Sequence, residues 1–122
     1  MLKLSARSEY ALRVIDFLRR NKTSADIRAI SVGTGVPESL LRKIIGRLVV
    51  SGILISQRGR SGGISMEDKL YSLYEVLVAM GEDISLVKCT HESCSEIDRC
   101  GISTTLKRVQ KWMEAFLKIT RI

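Results

Sequence analysis

The sequence predicts a mainly α-helical protein with one small β-hairpin. Three observations lead to this fold class. Apolar residues recur at helical spacing in several segments, two short β-like runs flank a glycine-rich stretch, and a chain of 122 residues is long enough for one hydrophobic core. Hydrophobic residues make up 45% of the chain and charged residues 27%, which excludes a disordered or fibrous protein.

The first predicted elements are a helix over residues 8–22 and a shorter helix over residues 25–32. Ser8 is a candidate N-cap, because a serine hydroxyl accepts a hydrogen bond from a free amide of the first turn. The apolar face of the first helix carries Tyr10, Ala11, Val14, Phe17 and Leu18. Gly33, Thr34 and Gly35 then predict a break, and Pro37 predicts a new helix because proline fits the first helical position.

The third predicted helix, over residues 37–51, is amphipathic. One stripe is apolar and consists of Leu40, Leu41, Ile44, Ile45, Leu48 and Val49. The other face carries small, polar and basic residues, namely Ser39, Arg42, Lys43, Gly46, Arg47 and Val50. Gly52 ends the helix.

The remaining elements are a hairpin and two helices. Residues 53–57 and 64–66 are β-like and flank a glycine-rich loop. A helix is predicted over residues 70–80, with Leu70, Leu73, Tyr74, Leu77 and Val78 apolar. Residues 89–101 are polar and predict an irregular loop. The last helix, over residues 103–119, presents Leu106, Val109, Trp112, Met113, Phe116 and Leu117.

The net charge of +7 is unevenly distributed along the chain. Residues 1–65 hold 12 basic and 4 acidic side chains, a balance of +8, whereas residues 66–102 have a balance of −5 and residues 103–122 of +4. The basic half would attract a polyanion and the acidic stretch would not. The alternative is a solvated basic surface that has no partner.

The order of these elements describes a winged helix-turn-helix, in which the third helix enters the DNA major groove and the hairpin is the wing. Arg42 is the residue that we expect to read a base, because bidentate arginine to guanine is the commonest specific contact. Ser39 would bond a base edge or a phosphate, and Lys43 and Arg47 would hold phosphates.

The predicted wing carries Arg58 and Arg60 among glycines. An arginine on such a tip can enter a narrow minor groove, while the alternative is a plain hairpin with solvated arginines. Together with the basic first half, the wing favours double-stranded DNA as the partner. The loop lacks the Lys-Ser/Thr pair of a phosphate-binding P-loop. With one histidine and no nucleophile–base pair, the chain is not expected to be an enzyme.

All three cysteines, Cys89, Cys94 and Cys100, lie in one polar stretch. An odd number of clustered thiols favours a metal or redox site over a disulfide scaffold. Thiolates bind iron–sulfur clusters, and a four-ligand site would need one further donor, for which His91 is one candidate. The alternative is three ordinary reduced thiols. No apolar run spans a bilayer and the start lacks a signal peptide, so a cytoplasmic protein without membrane contact is expected.

The segments LSARSEYALRVIDFL, VPESLLRKIIGRLVVSGIL and SQRGRSGGI, with the three cysteines, resemble the BadM/Rrf-two family of winged-helix transcription regulators. The resemblance covers nearly the whole chain, and the wing motif R-G-x-x-G-G is its most specific part. It implies a homodimeric regulator whose long C-terminal helix crosses between protomers. It also implies an iron–sulfur cluster, held by three cysteines and one other ligand, that tunes DNA affinity.

Transferred to this sequence, the resemblance makes Cys89, Cys94 and Cys100 the cluster ligands. Glu9 matches a position from which some members supply a carboxylate across the dimer, and its alternative is an exposed carboxylate at a helix start. IscR-like members place a histidine where this chain has Ser103, which favours an NsrR-like four-iron cluster over a two-iron cluster. Arg42 stands where relatives often carry an acidic residue, so their operator sequence does not transfer.

The expected organisation has three parts. Residues 1–66 form the winged helix-turn-helix, residues 67–102 a connecting helix and cysteine-bearing sensor loop, and residues 103–122 the dimerisation helix. In a monomer the last helix would cap the core. In a two-fold dimer two recognition helices would lie about 34–36 Å apart and require a near-palindromic operator.

Two further functional classes compete with an iron–sulfur regulator. One is a cluster-free regulator of the same shape, whose cysteines act as a thiol redox switch or a partner-docking site. The other is an enzyme or electron carrier with a basic surface, which the residues support least.

Overall fold

The computed structural model describes residues 3–59, 62–86 and 101–122, which form five helices and a two-stranded antiparallel sheet. Helix α1 spans Ala6–Asn21, α2 spans Ile27–Thr34, and α3 spans Glu38–Val50. Strands β1 (Ile55–Gln57) and β2 (Gly63–Ser65) follow, and then α4 (Leu73–Ala79) and α5 (Ser103–Ile119). The predicted fold class is confirmed.

Helix α1 begins earlier than the sequence pattern predicted. Ser5 is the N-cap, and its hydroxyl accepts a hydrogen bond from the Ser8 amide at 3.3 Å. Ser8 itself is fully buried in the first turn, so the prediction that it caps the helix is wrong. A capping serine and a serine inside the first turn look alike in sequence, because both precede the apolar stripe.

The predicted break at residues 33–35 begins one residue later in part. Gly33 and Thr34 still belong to α2, and only Gly35 leaves the helix, with a left-handed φ of 77°. Gly33 has a packing role instead, because a Cβ atom built there would lie 2.1 Å from the Phe17 ring. The glycine therefore allows α2 to approach α1 closely.

The main hydrophobic core lies between α1, α2, α3 and the start of the wing. Its largest fully buried side chains are Val14, Ile15, Ile30, Val36, Leu41, Ile44, Leu48 and Leu54. A second, smaller cluster joins α4 to α5 and consists of Leu77, Ile84 and Leu117, with Leu4, Leu73, Tyr74 and Met113 packed around it. The two clusters place the helix-turn-helix unit beside the α4–α5 pair.

Helix α4 is shorter than predicted. Ser72 and Glu75 form a capping box that fixes its start, and the helix covers seven residues. Val76 and Leu77 are buried, whereas Leu70 and Val78 are exposed, so the predicted apolar face was partly wrong. The predicted bounds of the last helix are confirmed. Its end is held by a bridge between Arg121 and Ser72.

Candidate nucleic-acid interface and regulatory segment

The amphipathic character of α3 divides it into a buried and an exposed face. Leu41, Ile44, Ile45 and Leu48 are buried against the core. The opposite face is exposed along its length and carries Ser39, Arg42, Lys43, Gly46, Arg47 and Val50. Because the apolar stripe holds the helix on the core, the polar and basic face is presented outward as one surface.

Gly46 lies in the middle of this exposed face and has no backbone reason to be glycine. A Cβ atom built there would meet nothing within 4 Å, and its φ is not positive. A glycine inside a helix costs about 0.5–1 kcal/mol relative to alanine. The residue therefore leaves open space on the surface of α3 at a cost to the fold.

Arg47 differs from its neighbours on α3 because its side chain has a partner within the chain. Its Nη1 donates a hydrogen bond of 2.8 Å to the carbonyl oxygen of Met80, the C-cap residue of α4. The predicted phosphate-binding residues thus fall into two groups, since Arg42 and Lys43 extend from the exposed face and Arg47 is tied to α4.

The wing is held close to α3 and α2 by backbone hydrogen bonds. The amides of Ile53 and Leu54 donate to the Leu48 carbonyl at 2.9 and 3.2 Å, which fixes the chain as it leaves α3. On the other side of the hairpin, Ile64 and Ala25 exchange two backbone bonds of 2.7 and 3.0 Å, immediately before α2. The base of the wing is therefore rigidly attached to the helix-turn-helix unit.

The tip of the wing carries an exposed arginine next to a glycine turn. Arg58 is exposed, and Gly59 adopts a φ of 113°. The Gly62 amide donates to the Gly59 carbonyl at 3.0 Å, which closes the turn. Arg60, the second arginine predicted at the tip, lies outside the described residues.

The predicted cluster ligands are only in part within the described chain. Cys89, Cys94 and Cys100 lie outside it, as does His91. Glu9 is exposed in the first turn of α1. Across residues 3–59, 62–86 and 101–122, no three histidine, cysteine, aspartate or glutamate side chains come together in a group that could hold a metal ion.

Two polar residues that the sequence did not single out fix the segment that leads to the cysteines. Glu82 Oε1 accepts bonds from the Ser5 amide (2.8 Å), the Ser5 hydroxyl (2.6 Å) and the Ser8 hydroxyl (2.5 Å) at the start of α1. The Ser5 hydroxyl, then the Ser8 hydroxyl and the Ser5 amide, lower the pKa of Glu82, because these donors favour the charged carboxylate over a smaller opposing effect of burial.

Gln110 holds the same segment from the side of α5. The residue is only 4% exposed; its Nε2 donates to the Ile84 carbonyl and its Oε1 accepts from the Leu86 amide, both at 2.8 Å. The sequence signal was available, because Gln110 stands at a helical spacing that otherwise carries apolar residues. A polar residue at such a position satisfies buried backbone groups.

The face of α5 that points away from this cluster is apolar and exposed. Trp112 is 76% exposed and Phe116 65% exposed, whereas Leu117 on the inner side is 7% exposed. Val109 and Ile119 extend the exposed stripe. Contiguous exposed apolar surface on a helix is typical of an interaction site.

A basic amphipathic helix and an attached basic wing on this fold define a winged helix-turn-helix transcription regulator. Residues 4–122 match the Rrf2 family, described as an iron-dependent transcriptional regulator, and the chain belongs to this family. The predicted family and class are confirmed. The relatives are transcription regulators rather than enzymes.

Individual relatives agree in sequence and in fold. The transcriptional regulator NsrR of Bacillus licheniformis is 27% identical over 97% of this chain and 85% of its own. The structure of CymR, the global cysteine regulator of B. subtilis, matches with a TM-score of 0.80 over 99% of this chain and 93% of its own, at 19% identity. The IscR of T. potens matches with a TM-score of 0.70 over 98% and 82%, at 18% identity.

Among the described residues, no helix combines the length and apolar character needed to cross a membrane. Rrf2 transcription regulators bind DNA, so the surface that this chain turns toward DNA is the central question about its site.

Proposed function

We propose that this regulator binds duplex DNA through the exposed face of α3 and the tip of the wing. The observation that carries the proposal is the division of α3, in which a fully buried stripe leaves Ser39, Arg42 and Lys43 exposed on one surface. Arg42 would read a base edge, Ser39 a base edge or phosphate, and Lys43 a phosphate. Arg58 and Arg60 of the wing would enter the minor groove.

Substitution of Arg42 tests the assignment of base readout. A duplex selected from a random library by the unaltered protein serves as the probe. Arg42→Gln should weaken binding to it by about 1–3 kcal/mol and relax the preference at one base pair. Lys43→Gln should weaken binding to all sequences similarly. Unchanged affinity and base preference in Arg42→Gln would overturn the assignment.

We further propose that Cys89, Cys94 and Cys100 hold an iron–sulfur cluster, with the [4Fe-4S] type favoured over [2Fe-2S]. Three thiols are a suitable donor set for iron, and a carboxylate can supply the fourth ligand. The Glu9 carboxylate is exposed and no side chain in the described part of the chain bonds it, which supports Glu9 of a second protomer as that ligand. A bound cluster would supply a centre that reacts with oxidants or nitric oxide.

Anaerobic purification tests the cluster. We expect brown protein that contains iron and acid-labile sulfide, with a visible spectrum that changes on addition of nitric oxide. Cys94→Ala should remove the colour, and Glu9→Ala should make the cluster more labile. Colourless protein that takes up no iron or sulfide on reconstitution would overturn this part of the proposal and leave DNA binding unaffected.

That outcome would favour the second candidate, a cluster-free regulator that uses its thiols as a redox switch or docking site. The likeness in fold to CymR, a cysteine regulator, is the observation in favour of it. Thiol titration before and after mild oxidation, combined with DNA titration, separates the two candidates. Only the cluster-free regulator would show a reversible, iron-independent change in affinity.

The proposed assembly is a homodimer joined through the exposed apolar stripe of α5. Two-fold symmetry would pair two α3 helices with successive major grooves about 34–36 Å apart and match a near-palindromic operator. In this arrangement residues 1–66 bind DNA, residues 67–102 carry the sensor and residues 103–122 form the dimer. The cytoplasm is the proposed location, because reduced thiols and DNA occur together there.

A further inference from the structure

One segment connects the recognition helix to the region of the cysteines. It comprises residues 80–86 and is called here the connector. It is bonded to α3 through Arg47, to the start of α1 through Glu82 and to α5 through Gln110. Cys89 follows its last residue by three positions.

The bond from Arg47 satisfies a backbone group that the fold leaves open. Met80 is the C-cap of α4, and the last carbonyls of a helix have no partner within the helix. These carbonyls also carry partial negative charge, so a guanidinium is a favourable donor. Gly81 makes room for it, because a Cβ atom at Gly81 would lie 2.8 Å from Arg47 Nη1.

The other end of the connector is held more strongly than the Arg47 bond alone would require. Glu82 accepts three hydrogen bonds from Ser5 and Ser8. Gln110, itself buried, bonds both Ile84 and Leu86. Because α1 and α5 fix the connector from two directions, its single side-chain bond to α3 transmits its position to the recognition helix.

We propose that Arg47 is a positioning residue, which orients α3 by bonding the connector instead of binding a DNA phosphate. The inference rests on the proposed DNA-binding function and deepens it. Any change at the cysteines that moves the connector would then alter the tilt of α3 through the Arg47–Met80 bond. Arg42 and Lys43, which lack such a bond among the described residues, remain the groups that contact DNA.

The salt dependence of DNA binding distinguishes a positioning residue from a phosphate contact. Each phosphate contact that is lost reduces the slope of log affinity against log salt by about 0.9. With the selected duplex, Arg47→Gln should weaken binding while the slope stays that of the unaltered protein. Lys43→Gln is the matched control and should reduce the slope by about 0.9. A similar reduction in Arg47→Gln would overturn the proposal.

Hydrogen exchange tests the connection without DNA. Arg47→Gln should speed amide exchange in a peptide covering residues 81–86, and Lys43→Gln should leave it unchanged. Equal exchange in both variants would overturn the proposal, as would faster exchange in Arg47→Gln with unchanged DNA affinity. If the unaltered protein retains no duplex, the proposed function fails, and the exchange result still shows whether Arg47 holds the connector.

Discussion

Gly46 illustrates how one residue can serve binding at a cost to stability. It occupies the exposed face of α3, where an added Cβ would meet nothing within 4 Å of the chain. Helix propensity alone would place alanine there. The remaining reason for glycine is the close approach of a partner to the helix, which agrees with the proposed position of DNA.

Replacing Gly46 with alanine should therefore have opposite effects on folding and binding. We expect Gly46→Ala to raise the free energy of unfolding by about 0.5–1 kcal/mol, because the helix gains its preferred residue. The same methyl group should weaken binding to the selected duplex. Thermal unfolding and fluorescence anisotropy measure the two effects.

Gly101→Ala is the matched control, since Gly101 also has open space around its Cβ position and lies at the start of α5. It should leave DNA affinity unchanged in the cluster-free protein. Equal or tighter DNA binding by Gly46→Ala would show that DNA does not approach this part of α3.

Glu82 makes the connection between α1 and the connector sensitive to pH. Its pKa is lowered from the ordinary value of 4.5 by hydrogen bonds from Ser5 and Ser8. A carboxylate whose folded pKa is lowered contributes stability that is fully present above its unfolded pKa and is lost as the pH falls through the folded pKa. The unaltered protein should lose this contribution below about pH 5.

The variant Glu82→Gln should lack that part of the pH dependence. We expect it to be less stable than the unaltered protein at pH 7 and to approach it as the pH falls. Denaturant unfolding across this range measures the difference. Glu67→Gln, at an exposed position before α4, is the control. Parallel curves for the unaltered protein and Glu82→Gln would contradict the prediction.

At the scale of the element, periodicity predicted the helices better than their ends. The buried and exposed faces of α3 were assigned correctly, because burial of a stripe is what stabilises a helix on a core. The start of α1 was missed because its cap depends on Ser5 and on Glu82, which is distant in sequence. The exposed Val78 was placed on the buried side because the sequence does not show which neighbours α4 meets.

The close contact between α1 and α2 is a second feature that only the assembled elements reveal. In sequence Gly33 marks a break, but in the fold it admits the Phe17 ring. Gly33→Ala should destabilise the protein by about 1–3 kcal/mol, the usual cost of overpacking. Denaturant unfolding measures the change.

The pair Gly33 and Phe17 can be tested by a double-mutant cycle. Phe17→Leu removes the ring that would collide with the new methyl group, so Gly33→Ala should cost less in that background than in the unaltered protein. Strictly additive free energies would show that the cost of Gly33→Ala has another origin.

At the scale of the whole molecule, the sequence indicated the DNA-binding unit more fully than the sensor. The basic face of α3 and the base of the wing follow from local patterns, and the fold places them as predicted. The link between sensor and recognition helix depends on Glu82, Gln110 and the backbone of Met80, which join elements far apart in sequence. No local pattern encodes such contacts, because each requires the tertiary arrangement.

The exposed stripe of α5 completes the argument at this scale. Its side chains contribute little to the core, since Trp112 is 76% exposed while Leu117 on the opposite side is 7% exposed. A large aromatic residue in solvent gains stability when an interface covers it. Dimerisation through this stripe would cover Trp112 and would also fix the distance between two copies of α3.

Trp112→Asp should therefore separate the protomers without unfolding them. Loss of a buried interface tryptophan costs about 2 kcal/mol or more, equivalent to roughly a 30-fold weaker dimer, and the added charge opposes association further. Operator binding should weaken in parallel, because each monomer would engage one half-site. Lys107→Gln, which removes one positive charge from another side of α5, is the control and should remain dimeric. Sedimentation velocity measures the assembly, and an intact dimer in Trp112→Asp would place the interface elsewhere.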